Sequence, residues 1–69
     1  MKIEIKGSSI KVSQFLKKLG IIDTGGASKE FLETHKVIIN GKVAEGRSTK
    51  IHGGDVVWIN DSVYHVFSI

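Results

Sequence analysis

The stretch TGGASKEFLETHKVIINGKV, from Thr24 to Val43, decides the fold. Residues 27–34 are mostly good helix formers and predict a short helix. Asn40-Gly41 then lies between apolar strand formers. This is the strongest short-range signal for a β-hairpin, because a type I′ turn needs positive φ at both central residues. A short helix that leads directly into a hairpin therefore organises the chain.

The residues before this stretch predict a strand and another short helix. Apolar and charged residues alternate over residues 2–6, as in a half-buried strand. Residues 10–12 are expected to be extended and to pair with that strand. Ser13 is expected to cap a first helix over residues 14–19, which Gly20 ends.

The residues after the hairpin predict further strands. We expect a polar loop over residues 44–52 and a strand over residues 56–59, which is apolar on both faces and so central. Residues 63–67 form the expected last strand. The fold class is therefore α+β, with two short packed helices and a small, mostly antiparallel sheet of about four to five strands in one domain, residues 1–69.

Composition narrows the classes of function. The chain has 69 residues and no cysteine, so no disulfide stabilises it. Because it has neither a long apolar run nor a leader pattern, we expect a soluble cytoplasmic protein. The net charge is +3, and eight of the ten bases fall within residues 10–52. This excess of base fits either a polyanionic partner or an ordinary solvated surface.

No residue pattern indicates catalysis or metal binding. His35, His52 and His65 are far apart, and no cysteine or carboxylate spacing completes a metal site. We therefore expect no enzyme activity, no metal and no cofactor. Most of the five aromatic residues are expected in the core, and Tyr64 is left open as a stacking platform or a docking residue.

Four segments together resemble the S-four RNA-binding domain, also called the alpha-L motif. They are VSQFLK at residues 12–17, TGGASKEFL at 24–32, VIINGK at 37–42 and GDVV at 54–57. The resemblance covers about residues 10–59, flanked by an N-terminal and a C-terminal strand. Within the family, the chain is similar to small stand-alone bacterial members that carry Thr-Gly-Gly before the second helix.

The resemblance implies a monomeric, non-catalytic protein that binds structured ribosomal or transfer RNA, in association with the ribosome. The RNA would lie across the helix pair and the start of the hairpin, where basic side chains contact phosphates. The candidate RNA-binding residues are Lys11, Gln14, Lys17, Lys18, Thr24, Gly25, Gly26, Ser28, Lys29, Lys36, Asn40, Lys42, Arg47 and Lys50.

Three departures from the family pattern predict weaker RNA binding. Gly25-Gly26 stand where the family often has two arginines, His35 replaces a usual glycine, and residues 47–50 hold fewer arginines than in stand-alone members. The two glycines either cradle a phosphate at the N-terminus of the second helix or make a tight turn. Asn40 either serves the hairpin turn alone, which is enough to explain it, or also contacts RNA.

Two other functions fit parts of the sequence. The opening strand, the FLKKL helix and the late Gly-Asp turn resemble a β-grasp sulfur carrier, although the sequence ends in VFSI rather than the Gly-Gly that such carriers activate. The third possibility is a protein-interaction domain that has lost RNA binding and docks partners through a strand edge or Tyr64.

Overall fold

The computed structural model describes all residues from Met1 to Ile69 and has two helices and seven strands. Their order is β1 (Lys2–Ile5), β2 (Ser9–Lys11), α1 (Val12–Lys18), α2 (Ala27–Thr34), β3 (Val37–Ile39), β4 (Lys42–Val43), β5 (Lys50–His52), β6 (Val56–Ile59) and β7 (Ser62–Ser68). The predicted α+β class is confirmed, and α2 and β3 begin where the sequence predicts. Neither helix has the length and apolar composition that crossing a bilayer requires.

Five strands form one sheet in the order β1-β7-β6-β3-β4, in which β6 is central as predicted. All neighbours are antiparallel except β1 and β7, which run parallel, so the first and last strands of the chain lie side by side. The other two strands, β2 and β5, form a separate antiparallel ribbon. Residues 10–12 were expected to pair with the first strand, and this expectation is wrong.

The core lies between one face of the sheet and the helices. Helix α1 contributes Val12, Phe15 and Leu16, which are fully buried. Alternate positions of the strands complete the cluster with Ile5, Val37, Val57, Ile59 and Val66, and Ile51 of the ribbon joins it. Helix α2 adds the buried Ser28 and the partly buried Phe31 and Leu32, which pack against this cluster.

The start of α1 differs from the prediction because the chain after the hairpin returns to it. The N–H of Val12 donates to the carbonyl oxygen of Thr49 (2.8 Å), and the N–H of Ser13 donates to that of Arg47 (3.1 Å). These carbonyls accept from the N–H groups of the first two helical residues, so the helix begins two residues earlier than predicted, with Lys11 at its N-cap. The same return of the chain pairs residues 50–52 with β2 as strand β5, so residues 44–52 are not entirely a loop.

The end of α1 follows its glycine signal. Gly20 has φ +76°, and its N–H donates to the carbonyl oxygen of Lys17 (3.0 Å). The N–H of Ile21 donates to that of Leu16 (3.0 Å). These two bonds form the Schellman motif, which closes a helix and places the next apolar residue against its last turn.

One side chain joins the hairpin turn to a turn fifteen residues later. Asn40 and Gly41 have φ +51° and +86°, as the predicted turn requires. The Asn40 amide nitrogen donates to Asp55 Oδ1 (2.9 Å), and the N–H of Val56 donates to Asn40 Oδ1 (2.9 Å). Asp55 Oδ2 in turn accepts from the N–H of His52 (2.8 Å). We call this set of hydrogen bonds the Asn40–Asp55 clasp.

The aromatic residues divide between the two faces of the sheet. Phe15 is buried and meets Tyr64 edge to face, with ring centroids 6.0 Å apart. Tyr64 therefore belongs to the packed side. Trp58 and Phe67 are 45% and 44% exposed on the outer face. Strand β6 is thus central and apolar on both faces, as predicted, but one of these faces is open to water.

We predict that Asn40→Gly lowers the free energy of unfolding by about 1–2 kcal/mol more than Asn60→Gly does. Glycine keeps the left-handed backbone but removes the clasp. Asn60 has a similar φ of +56° and makes no side-chain hydrogen bond. The Asn60→Gly variant therefore controls for the effect of the substitution on the backbone. Urea denaturation of both variants measures the difference, and equal losses would show that the clasp contributes nothing.

A second prediction concerns the approach of the β5–β6 turn to the last strand. A Cβ on Gly53 would lie 2.6 Å from Ser68 Cβ and 3.0 Å from the Ser68 backbone nitrogen. Gly53→Ala should therefore destabilise the fold by about 1–3 kcal/mol in the same denaturation assay. Gly46→Ala, where a Cβ meets nothing within 4 Å, should leave stability unchanged or slightly raised.

Candidate nucleic-acid interface

The lysine and arginine side chains form no ion pair within the protein. The one ion pair in the structure joins His52 Nδ1 to Asp55 Oδ2 at 3.8 Å. Every lysine and arginine therefore lies more than 4 Å from any carboxylate oxygen. Ten unpaired cationic groups on a 69-residue surface are available to a polyanion.

Three lysines line an open concavity between α1 and the turn that precedes β2. Lys17 and Lys18 lie in the last turn of α1, where their positive charge also interacts favourably with the helix dipole. Lys6 reaches the concavity from the end of β1. Ser9 and Gln14 supply polar groups, Ile5 and Ile10 complete the lining, and no carboxylate is present. We call this the helix-one concavity.

Sequence reasoning missed Lys6 as a member of this group. The residue was assigned to the polar side of the first strand, and its proximity to Lys17 depends on how β1 and β2 are placed around α1. The only signal in the sequence was that lysines outnumber acidic residues both in residues 2–6 and in the first helix. Gln14 was predicted correctly to lie beside Lys17, and its Oε1 also lies 3.5 Å from the N–H of Lys11.

Two predicted lysines face each other across the ribbon. Lys11 of β2 and Lys50 of β5 are directly opposite in the antiparallel register, and both are exposed. Like charges in this arrangement destabilise a strand pair. We call them the ribbon pair. Their repulsion falls when an anion lies between or above them.

Two further concavities bring together other basic residues that the sequence predicted. Lys42 and Lys50 line one with Thr49 and Glu45. Lys29 and Arg47 line the other with Glu33 and Glu45. The acids balance the bases in this last concavity, so its attraction for phosphate is weaker than that of the helix-one concavity.

The Thr24–Gly26 segment leaves two amides without acceptors. The N–H groups of Ala27 and Ser28 donate to the carbonyl oxygens of Thr24 and Gly25, both at 3.2 Å. The N–H groups of Gly25 and Gly26 make no hydrogen bond within the protein. Neither glycine has a positive φ, and a Cβ on either would meet no atom closer than 3.9 Å. Turn geometry alone therefore does not require these glycines.

Three other predicted residues lie outside the concavities. Ser28 is fully buried and donates its hydroxyl to the carbonyl oxygen of Gly25, so its side chain presents nothing to a ligand. The Asn40 amide is occupied by the clasp. Lys36 is exposed between α2 and β3 and lines none of the three concavities.

The departure at His35 has a structural explanation. This residue ends α2 with extended backbone at φ −133°, which any amino acid adopts. Its ring stacks on Phe31 with centroids 4.4 Å apart, and its Nδ1 lies 2.8 Å from Thr34 Oγ1. The side chain thus packs on its own helix. No three His, Cys, Asp or Glu residues are close enough together anywhere in the chain to hold a metal ion.

Comparison with known proteins agrees with this architecture. The S4 domain family matches residues 3–67 of the chain. The chain is also 40% identical over 57 residues to the "Probable ribosome maturation protein RlbA" of Bacillus subtilis (strain 168), an alignment that covers 83% of this chain and 80% of the relative. With its helix pair, its hairpin and nearly its whole length matched, the chain belongs to the S4 domain family, the RNA-binding family that its motifs resemble.

Proposed function

We propose that this protein binds structured RNA through the surface that joins the helix-one concavity to the ribbon pair. Lysine ammonium groups there contact phosphates, and the polar groups of Ser9 and Gln14 contact ribose or base edges. Recognition follows the shape and the backbone of the RNA more than its sequence. The protein acts as a monomeric, non-catalytic binding module in the cytoplasm.

The observation that carries this proposal is the absence of acid from the helix-one concavity. A solvated lysine cluster without a function usually has carboxylates interspersed, since these lower mutual repulsion. Here Lys6, Lys17 and Lys18 surround one open space with no carboxylate among its lining residues. The unpaired N–H groups of Gly25 and Gly26 add hydrogen-bond donors, which also favour an anion, at the start of α2.

The relative's printed name favours ribosomal RNA as the ligand. It describes a probable ribosome maturation protein. We propose an equivalent role here, in which this chain binds ribosomal RNA during assembly of the particle, with transfer RNA as the alternative. The Thr24-Gly25-Gly26 segment before the second helix groups the chain with the small stand-alone members of the family.

The distribution of acid also sets the expected strength of binding. Glu33 and Glu45 share a concavity with Lys29 and Arg47, so this part of the surface contributes less than a purely basic one. We therefore propose that α1, rather than α2, makes the main phosphate contacts. Affinity is moderate and depends strongly on salt.

We predict that reversing Lys17, Lys18 and Lys29 together to Glu lowers affinity for ribosomal RNA at least about tenfold at physiological salt. Each lost phosphate contact should also lower the slope of log affinity against log salt by about 1. Filter binding or fluorescence anisotropy over a salt series measures both quantities. Single reversals should show larger losses at Lys17 and Lys18 than at Lys29.

Lys2→Glu supplies the matched control for these reversals. Lys2 lies on the outer face of the sheet, with its Nζ 5.8 Å from the Phe67 ring centroid and away from the concavities named above. This variant changes net charge as each single reversal does but should keep the affinity and the salt slope of the parent. An RNA affinity unaltered by the triple change would contradict the proposal.

We also predict opposite effects of Lys50→Glu on folding and on binding. Replacing one member of the ribbon pair changes repulsion into attraction, so stability without RNA should rise by about 0.2–1 kcal/mol at low salt. The gain should shrink as salt screens it, while RNA affinity falls. Denaturation at two salt concentrations and an RNA titration test this, and a loss of stability would refute the assigned repulsion.

A further inference from the structure

The outer face of the sheet carries an apolar row that the RNA-binding proposal does not use. The strand registers place Val43 opposite Ile38, Ile38 opposite Trp58 and Trp58 opposite Val63. The four side chains therefore lie in line across β4, β3, β6 and β7. At about 4.8 Å between strands, the row is about 14 Å long.

This row is accessible rather than covered by another part of the chain. Val43 is 56% exposed and Trp58 is 45% exposed. Ile38 and Val63 are partly buried, and Val56 lies two residues from Trp58 on the same face of β6. An exposed tryptophan at the centre of an apolar row is the usual arrangement of a residue that dominates a protein interface.

The charges around the row do not favour nucleic acid. The other residues of this face, read from the registers, are Lys2, Glu4, His65 and Phe67. One lysine and one glutamate leave the face near neutral, whereas the helix-one concavity holds three lysines and no acid. Phosphate therefore prefers the helix side, and the outer face suits a partner without strong charge.

The size of the patch argues against a stable dimer of this chain. The exposed parts of the row and Val56 amount to an area on the order of 300–400 Å². A standard stable interface buries about 800 Å² on each partner. A patch of about half this size suits a short segment that brings only two or three side chains.

We propose that the outer face binds an uncharged protein segment whose apolar side chains pack on Trp58 and its row. The protein then has two binding faces, one for RNA and one for protein. This inference does not depend on the proposed RNA function. It also relocates the docking surface expected from sequence, since Tyr64 packs on Phe15 and β4, at one edge of the sheet, has only two residues.

Site-specific photocrosslinking tests the proposal. The photoreactive residue p-benzoylphenylalanine replaces Trp58 in the full chain expressed in its host cells, and in a parallel strain it replaces the exposed Glu33 of α2. After irradiation, crosslinked products are digested and the attached peptide is sequenced by mass spectrometry. We expect position 58, but not position 33, to capture a protein segment with at least two apolar side chains and no net charge.

Second-site variants separate docking on the row from chance proximity. Val43→Glu places a carboxylate at the end of the row on an exposed edge strand and should lower the crosslink yield at least fivefold. Ser48→Glu adds the same charge at an exposed loop position outside the row and should leave the yield unchanged. Capture of RNA, of a second copy of this chain, or of nothing above the Glu33 level would overturn the proposal.

Discussion

The Asn40–Asp55 clasp is the interaction on which the arrangement of this small fold depends. Asn40 fills the left-handed position of the hairpin turn, so its side chain projects from a fixed point next to β3. Its amide bonds both the Asp55 carboxylate and the Val56 amide, which starts β6. The clasp therefore sets the register of β3 against β6, the central strand pair of the sheet. Asn-Gly and Gly-Asp, which belong to two of the four segments that resemble the family, are separated in sequence but form one hydrogen-bonded unit.

The placement of the basic surface follows from that unit. Asp55 also accepts from the His52 amide and so fixes the end of β5. The segment before β5 then supplies the Thr49 and Arg47 carbonyls that begin α1. The position of α1, which carries Lys17 and Lys18, is thus fixed by backbone hydrogen bonds to the segment that follows the hairpin. A chain with few helical turns obtains a defined basic surface in this way, because short helices do not persist without such support.

Local signals predicted the parts of the fold that depend on local geometry. Helix α2, the Asn40-Gly41 turn, the Gly20 helix end and the central position of β6 all followed from residue types and spacing. The errors concern long-range partners. Ser13 looked like a cap because the sequence does not show that the carbonyls of Thr49 and Arg47 accept from the helix start and move it two residues earlier. The expectation that most aromatic residues lie in the core does not hold for Trp58, because both helices pack on the opposite face of the sheet. Of the predicted site, Gln14, Lys17 and Lys18 do share one concavity, while Lys6 joined it through strand placement that no local pattern encodes.

The two faces of the sheet carry different chemistry, and this difference has a physical basis. A 69-residue chain has too few apolar side chains to cover both faces, so one face takes the helices and the core while the other stays in water. In natural proteins, the sheet face that is exposed to water usually carries polar residues, which keep it from associating with other molecules. Here Val43, Trp58 and Phe67 stay exposed instead. The fold needs none of them for its core, and the exposed apolar area raises the risk of aggregation. A binding role for this face explains why the apolar residues are there.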